Sequence, residues 1–206
     1  MQAFSFVSGS AAPLLIPNID TDTIVRVEVI SRSPEELGPC AFEVLRYLPG
    51  GAENPDFVLN QPQFRGAPIL LAGPNFGCGS SRERAVWALL GIGIRCIVAP
   101  SFGDIFLANC YRNGLLPVVL SEENIKELAS QANAEASFKA DLVTLTISTS
   151  TGSVFTFEVD ERRRQTLLQG LDEIEMTLKD TATIEAWQTR DRAARPWVWQ
   201  PPTALV

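Results

Sequence analysis

Residues 77–84 read Gly-Cys-Gly-Ser-Ser-Arg-Glu-Arg. Two hydroxyls and two guanidiniums follow a glycine turn at what looks like a helix start. Such a start exposes unpaired backbone N–H groups and the positive end of the helix dipole. With Ser80, Ser81, Arg82 and Arg84 added, the spot suits an anion, most naturally a carboxylate. The Ser80…Glu83 spacing also spells a capping box, which many helices use with no chemistry attached. No Gly-Lys-Ser/Thr follows the glycines, so this is not a phosphate P-loop, and it is not G-x-G-x-x-G. A second polar cluster, Asn18, Asp20 and Asp22, resembles a calcium loop superficially, but the glycine and distant glutamate of an EF-hand are missing. Short polar residues at that spacing make Asx turns or line a site, and the spacing leaves both open.

The elements that must position these groups follow from apolar runs and their punctuation. Residues 68–72 form a short apolar strand, 73–79 the glycine turn, and 82–90 a helix that Gly91 can end. Residues 95–99 and 115–120 give two more strands. Ser101…Asp104 repeats the capping-box spelling ahead of a helix to Arg112, closed by Gly114, and Ser121 opens another helix to Ala132. This alternation specifies parallel strands with right-handed crossovers, and ligands then belong at the carboxyl ends of the strands. Residues 4–7 read as an edge strand and 9–17 as a loop. Residues 31–67 are rich in Pro and Gly and read as irregular, with a short helix over 40–48; such a stretch is functional, mobile, or a plain surface excursion. Beyond residue 140 an antiparallel hairpin spans 142–159. Asp160 caps a helix whose Arg162, Arg163 and Arg164 read as a solvated face. Residues 173–178 read as a short strand, Asp180 as the cap of a last helix to Ala194, and 196–206, with Trp197 and Trp199, as a tail that docks on a protein surface. The fold class expected is α/β.

The 206 residues suit a domain with a real core. A net charge of −7 argues against a nucleic-acid surface. No apolar run approaches a membrane span and no leader is evident, which leads us to expect a cytoplasmic protein. Cys40, Cys78, Cys96 and Cys110 form no CxxC pair, and reduced thiols are the default. Cys78 fits a small turn filler or a reactive thiol. Histidine is absent, which excludes Ser-His-Asp and Cys-His catalysis within the chain and removes the commonest metal ligand. We expect no metal ligands here and no cofactor held by this chain alone.

The runs NFGCGSSRERA, IVAPSFGDIF and NGLLPVVL, with NIDTDTIV and NPDFVLNQPQFRGAPILLA, closely resemble the small subunits of 3-isopropylmalate dehydratase, swivel-domain members of the aconitase superfamily. The resemblance runs from about residue 11 to about residue 190. It implies a three-layer swivelling β/β/α domain over 1–195, with a central parallel sheet, a smaller antiparallel one, and a tail over 196–206. It implies that 31–67 holds a substrate-recognition loop and contacts to a large subunit. It implies a hydro-lyase of leucine biosynthesis that interconverts 2- and 3-isopropylmalate through an alkene, with a 4Fe–4S cluster on the large subunit as Lewis acid. Carried over by position, Ser80 is the base and Asp22 a catalytic carboxylate, while Ser81, Arg82, Gly79, Asp20 and Thr21 bind the dicarboxylate. Either Ser81 caps the helix, or the cap bond of Ser80 holds its oxygen ready. One position departs from the family: Arg84 stands where a histidine is usual, and arginine cannot relay a proton. That keeps citraconate-, dimethylmaleate- and homoaconitate-type hydratases in view, beside a non-catalytic anion-binding module.

Overall fold

The computed structural model describes residues 1–29, 32–79 and 82–199. The chain divides into two compact units, Met1–Gly170 and Leu171–Val206. Along the chain run β1 (Phe6–Gly9), β2 (Ala11–Leu14), α1 (Thr21–Ile24), α2 (Glu43–Arg46), β3 (Ile69–Ala72), α3 (Glu83–Gly91), β4 (Cys96–Ala99), α4 (Asp104–Asn113), β5 (Leu116–Val119), α5 (Glu122–Asn133), β6 (Phe138–Asp141), β7 (Thr146–Thr149), β8 (Val154–Thr156) and α6 (Glu161–Gln169), then α7 (Glu173–Leu178) and α8 (Thr181–Ala194). No helix among the described residues is long and apolar enough to cross a membrane.

Two four-stranded sheets organise the first unit. One is parallel, in the order β2-β3-β4-β5; the other is antiparallel, in the order β1-β6-β7-β8. β3 and β4 are buried along their whole lengths, as strands covered on both faces must be. α5 lays a stripe of Ile125, Leu128, Ala129 and Ala132 over β2, β3 and β4. α3 and α4 pack on each other through a polar tie. Asn113 accepts from the Trp87 indole and donates to Glu83, both at 2.7 Å. This is the α/β class expected from the sequence, with its parallel and antiparallel sheets.

Several local expectations need correction. The presumed loop 9–17 contains β2, and Pro13 is tolerated because β2 is the edge of the parallel sheet. Residues 173–178 form a helix, not a strand. Asp172 and Glu175 close a capping box there, and the apparent Ile-Met-Leu alternation yields to it. Ser101 does not cap α4; Gly103 holds the cap position and the Ser101 hydroxyl accepts from Asn75 N–H instead. α3 opens at Glu83 with Arg82 as its cap residue, so Glu83 stands at the first helical position rather than the third. Of the α6 arginines, Arg162 and Arg163 are exposed as expected, but Arg164 is half-buried. Arg164 donates to the carbonyls of Leu142 and Val143, and Arg163 lies 4.9 Å from the Tyr111 ring centre. Ser121 and Asp160 do cap their helices, and Gly114 closes α4 in a left-handed conformation.

The Pro- and Gly-rich stretch over 31–67 is irregular, as expected, but well anchored. It consists of 3-10 turns, the single turn of α2, and buried Leu37, Cys40, Ala41, Phe42, Phe57, Leu59 and Phe64. Gly38 meets Gly91 of α3 so closely that a Cβ on either would stand 2.7 Å from the other's backbone. Gly91 is thus fixed by this approach, beyond its position at the helix end. In the second unit, α7 and α8 bury no residue fully. Trp199, in a 3-10 turn after α8, folds back onto that helix: its ring sits 6.5 Å from that of Trp187, and its indole donates to Asp191. Trp197 is exposed.

Candidate active site

Three loops leave the carboxyl ends of the neighbouring strands β2, β3 and β4, and the backbone ties them together. Asn18 N–H donates to Pro74 O, Gly77 N–H to Ile19 O at 2.7 Å, and Thr21 N–H to Cys78 O at 3.0 Å. On the other side Phe76 and the 101–103 segment exchange two such bonds. Asp20 bridges Cys78 and Phe76 bridges Phe102, both in parallel register, so the sheet's pairing continues into its loops. Below them Phe76, Phe102 and Phe106 form an aromatic base. Gly77 must be glycine: at φ +72° a Cβ there would lie 2.2 Å from the Phe106 ring.

On this frame the loop after β2 turns into α1. Asp20 is its cap residue, and its carboxylate accepts from Thr23 N–H at 2.7 Å. That bond, the Thr23 hydroxyl and, last, the Arg82 charge hold the Asp20 carboxyl below its ordinary value. Of the two readings of this cluster, cap chemistry therefore occupies Asp20. Thr21 is buried. Gly79, at φ +92°, lies against Asp20 and Thr21. Asp22 points outward and pairs with Arg82 across the two loops, with side chains 52% and 19% exposed respectively. The structure thus brings together Asp20, Thr21, Asp22, Gly79 and Arg82. Ser80 and Ser81 lie outside the described residues. Arg84 is half-buried on α3. The Cys78 thiol donates to Asn18 O, as a turn filler would.

A cavity of about 310 Å³ opens beside Asp20 and Asp22, and it contains groups the sequence reading missed. Its walls are Arg26, Glu28, Val27 and Val44, with the two valines exposed. Arg26 pairs with Glu28 at 3.2 Å. Arg26 and Val27 follow directly on the NIDTDTIV motif, which was a usable signal; Val44 had none, because only the packing of α1 on α2 brings it near. Among the described residues no three of Cys, Asp and Glu gather where they could hold a metal ion. Cys40, Cys96 and Cys110 are buried, and burial pushes the Cys96 and Cys110 thiols up, away from the thiolate form that ligates metal.

Residues 1–123 match the aconitase C-terminal domain. The chain is 49% identical over 203 residues to the 3-isopropylmalate dehydratase small subunit of Dinoroseobacter shibae, covering 96% of this chain and 100% of that one. It is 47% identical, at the same coverage, to the small subunit of Paracoccus denitrificans. The chain belongs to the family of 3-isopropylmalate dehydratase small subunits. Its fold is shared with a crystal structure of 3-isopropylmalate dehydratase from Methanocaldococcus jannaschii, at a TM-score of 0.65 and 24% identity over 89% of this chain and 99% of that one. Within this family frame the loops after β2 and β3 form the candidate site, and the Arg82–Asp22 pair lies at its mouth.

Proposed function

We infer that the chain is the small subunit of a 3-isopropylmalate dehydratase and acts in leucine biosynthesis with a larger partner. The observation that carries the reading is a single juxtaposition. A mostly buried arginine, Arg82, paired with Asp22, sits at the carboxyl ends of parallel strands, beside a cavity lined by Arg26 with its partner Glu28, by Asp20 and by two exposed valines. Guanidiniums suit carboxylates through paired hydrogen bonds, and valines suit a branched alkyl group. 2-Isopropylmalate carries both.

In this reading Arg82, helped by Ser81 and the Gly79 backbone, grips a substrate carboxylate. Val27 and Val44 cover the isopropyl group. The Ser80 hydroxyl removes the proton from the carbon beside a carboxylate and later returns it. A serine hydroxyl is a weak base near neutrality, so its alkoxide needs stabilisation from the N–H groups at the start of α3 and from arginine. Asp22, released from Arg82 when substrate binds, is the proposed second carboxylate of the site. The residues described here do not fit an iron–sulfur cluster. We therefore assign the cluster to the partner and give this chain the binding and proton-handling roles. A related hydro-lyase acting on another dicarboxylate is the competing reading, and Arg84 is what favours it.

Reconstitution tests the proposal. The purified chain alone should not turn over 2-isopropylmalate, and the chain plus a cluster-bearing large subunit should. Ser80→Ala should lower kcat of the pair by about 10²–10⁴-fold while leaving the circular dichroism spectrum unchanged. A Ser80→Ala pair that keeps wild-type kcat would remove Ser80 as the base.

A further inference from the structure

We propose that the chain has a second ligand site, for a small aliphatic monocarboxylate, at the amino ends of β3 and β4. A cavity of about 220 Å³ lies there, lined by Arg46, Arg65, Leu59, Ala67, Ile92 and Ile94. Ala67 leads into β3, and Ile92 and Ile94 lead into β4. The candidate active site lies at the opposite ends of the same strands, about 13 Å away along the strand axis for four residues.

The charges at the cavity do not balance. Glu53 takes both arms of the Arg65 guanidinium, at 3.1 and 2.6 Å. Arg46 has no ion pair among the described residues. Its guanidinium lies 5.5 Å from the Tyr47 ring centre, and its Nε–H is buried with no acceptor. Arg46 as a whole is half-buried, so its charge stays in reach of solvent, but a buried N–H without an acceptor is costly to the fold, and few native sites keep one without a use. Two cations against one carboxylate leave one positive charge, which suits a monoanion. The remaining walls are aliphatic. At about 30 Å³ per water-sized group, the volume holds about seven non-hydrogen atoms. A carboxylate on a short branched chain, such as 3-methylbutanoate, has that size and chemistry.

The test uses the full chain with ¹⁵N-labelled arginine and follows the side-chain Nε–Hε signals during titration with sodium 3-methylbutanoate. The signal missing from Arg46→Met should shift saturably, with a Kd on the order of 1 mM, as expected for so small a ligand. Acetate, which has the charge without the body, and 3-methylbutanamide, which has the body without the charge, should each bind at least tenfold more weakly. Ile92→Phe fills the cavity and leaves Arg46 in place; it should also weaken binding at least tenfold. If Arg46→Met fails to fold, the Ile92→Phe and amide arms still decide the matter. A flat titration, equal binding of acetate, or wild-type affinity in Ile92→Phe would overturn the proposal. None of these outcomes bears on turnover at the other end of the sheet.

Discussion

Replacing Arg82 with lysine separates a substrate clamp from an ordinary helix-start residue. Arg82 pairs with Asp22, and the two side chains differ sharply in exposure, 19% against 52%. Two opposite charges about 4 Å apart attract by about 4 kcal/mol at an effective dielectric of about 20. Solvent at half-exposed Asp22 reduces this to the range of measured surface pairs, about 0–1 kcal/mol. Lysine keeps the charge and reaches the same carboxylate, so stability should fall by less than about 1 kcal/mol, with Tm within about 4 °C of wild type. Substrate binding should suffer much more. Lysine lacks the planar fork, and the loss of one charge-assisted hydrogen bond is worth about 1.5–3 kcal/mol, or roughly 10- to 150-fold in kcat/KM. Steady-state kinetics of the reconstituted pair, with thermal melts of the variant chain, measures both quantities. If Arg82→Lys keeps kcat/KM within about twofold while Tm falls by more than about 4 °C, the residue serves the fold and the clamp is refuted.

Four further outcomes are expected. Val44→Ala removes two carbons from the cavity wall, worth about 1 kcal/mol; kcat/KM for 2-isopropylmalate should drop roughly fivefold, and a substrate without the branch should be unaffected. Gly77→Ala forces a Cβ into the Phe106 ring at a left-handed φ and should destabilise the chain by about 2–5 kcal/mol, read as a shift of the urea midpoint. The Asp20 carboxyl is held below its ordinary 3.8 by the Thr23 bonds, so its contribution is complete above that value and fades as pH falls through the depressed one. The stability gap between wild type and Asp20→Asn should therefore narrow from about pH 5 to about pH 3. Burial pushes the Tyr111 phenol up to about 12 from 10.0; its stabilisation is complete below 10.0 and lost as pH rises through 12, so Tyr111→Phe should flatten the alkaline limb of the stability curve.

The run from β3 to α5 was legible because three apolar stretches alternate with glycine or serine punctuation; β3 and β4 are buried throughout and β5 at all but Val119. β2 was hidden by composition. Ala-Ala-Pro-Leu carries no strand signal, and only its pairing with β3 makes it one. α7 misled because three apolar residues at alternate positions imitate a strand over so short a length, while the capping box decided the outcome. Within the candidate site, residues adjacent in sequence were found and residues joined by packing were not. Asp22 and Arg82 were both named, but their ion pair depends on two loops meeting across the sheet. Val44 and the unaccepted Nε–H of half-buried Arg46 were invisible for the same reason. The solvated reading suits exposed Arg162 and Arg163 but not half-buried Arg164, because charge patterning along one helix says nothing of the carbonyls of Leu142 and Val143 that receive it, or of the Tyr111 ring beneath Arg163.

The Arg82–Asp22 pair has a consequence for selectivity if Arg82 receives substrate as proposed. The guanidinium never waits empty: a carboxylate tethered to the same fold competes for it, at an effective concentration in the millimolar range typical of short tethers. Chloride, acetate and other single anions offer nothing that Asp22 does not already supply, so they exchange without gain. A ligand with two carboxylates and an alkyl branch brings attachments that Asp22 cannot match, and these tip the exchange. The protein thus carries its own decoy, which screens the common small anions of its surroundings from the site and opens it to a ligand with more than one point of attachment.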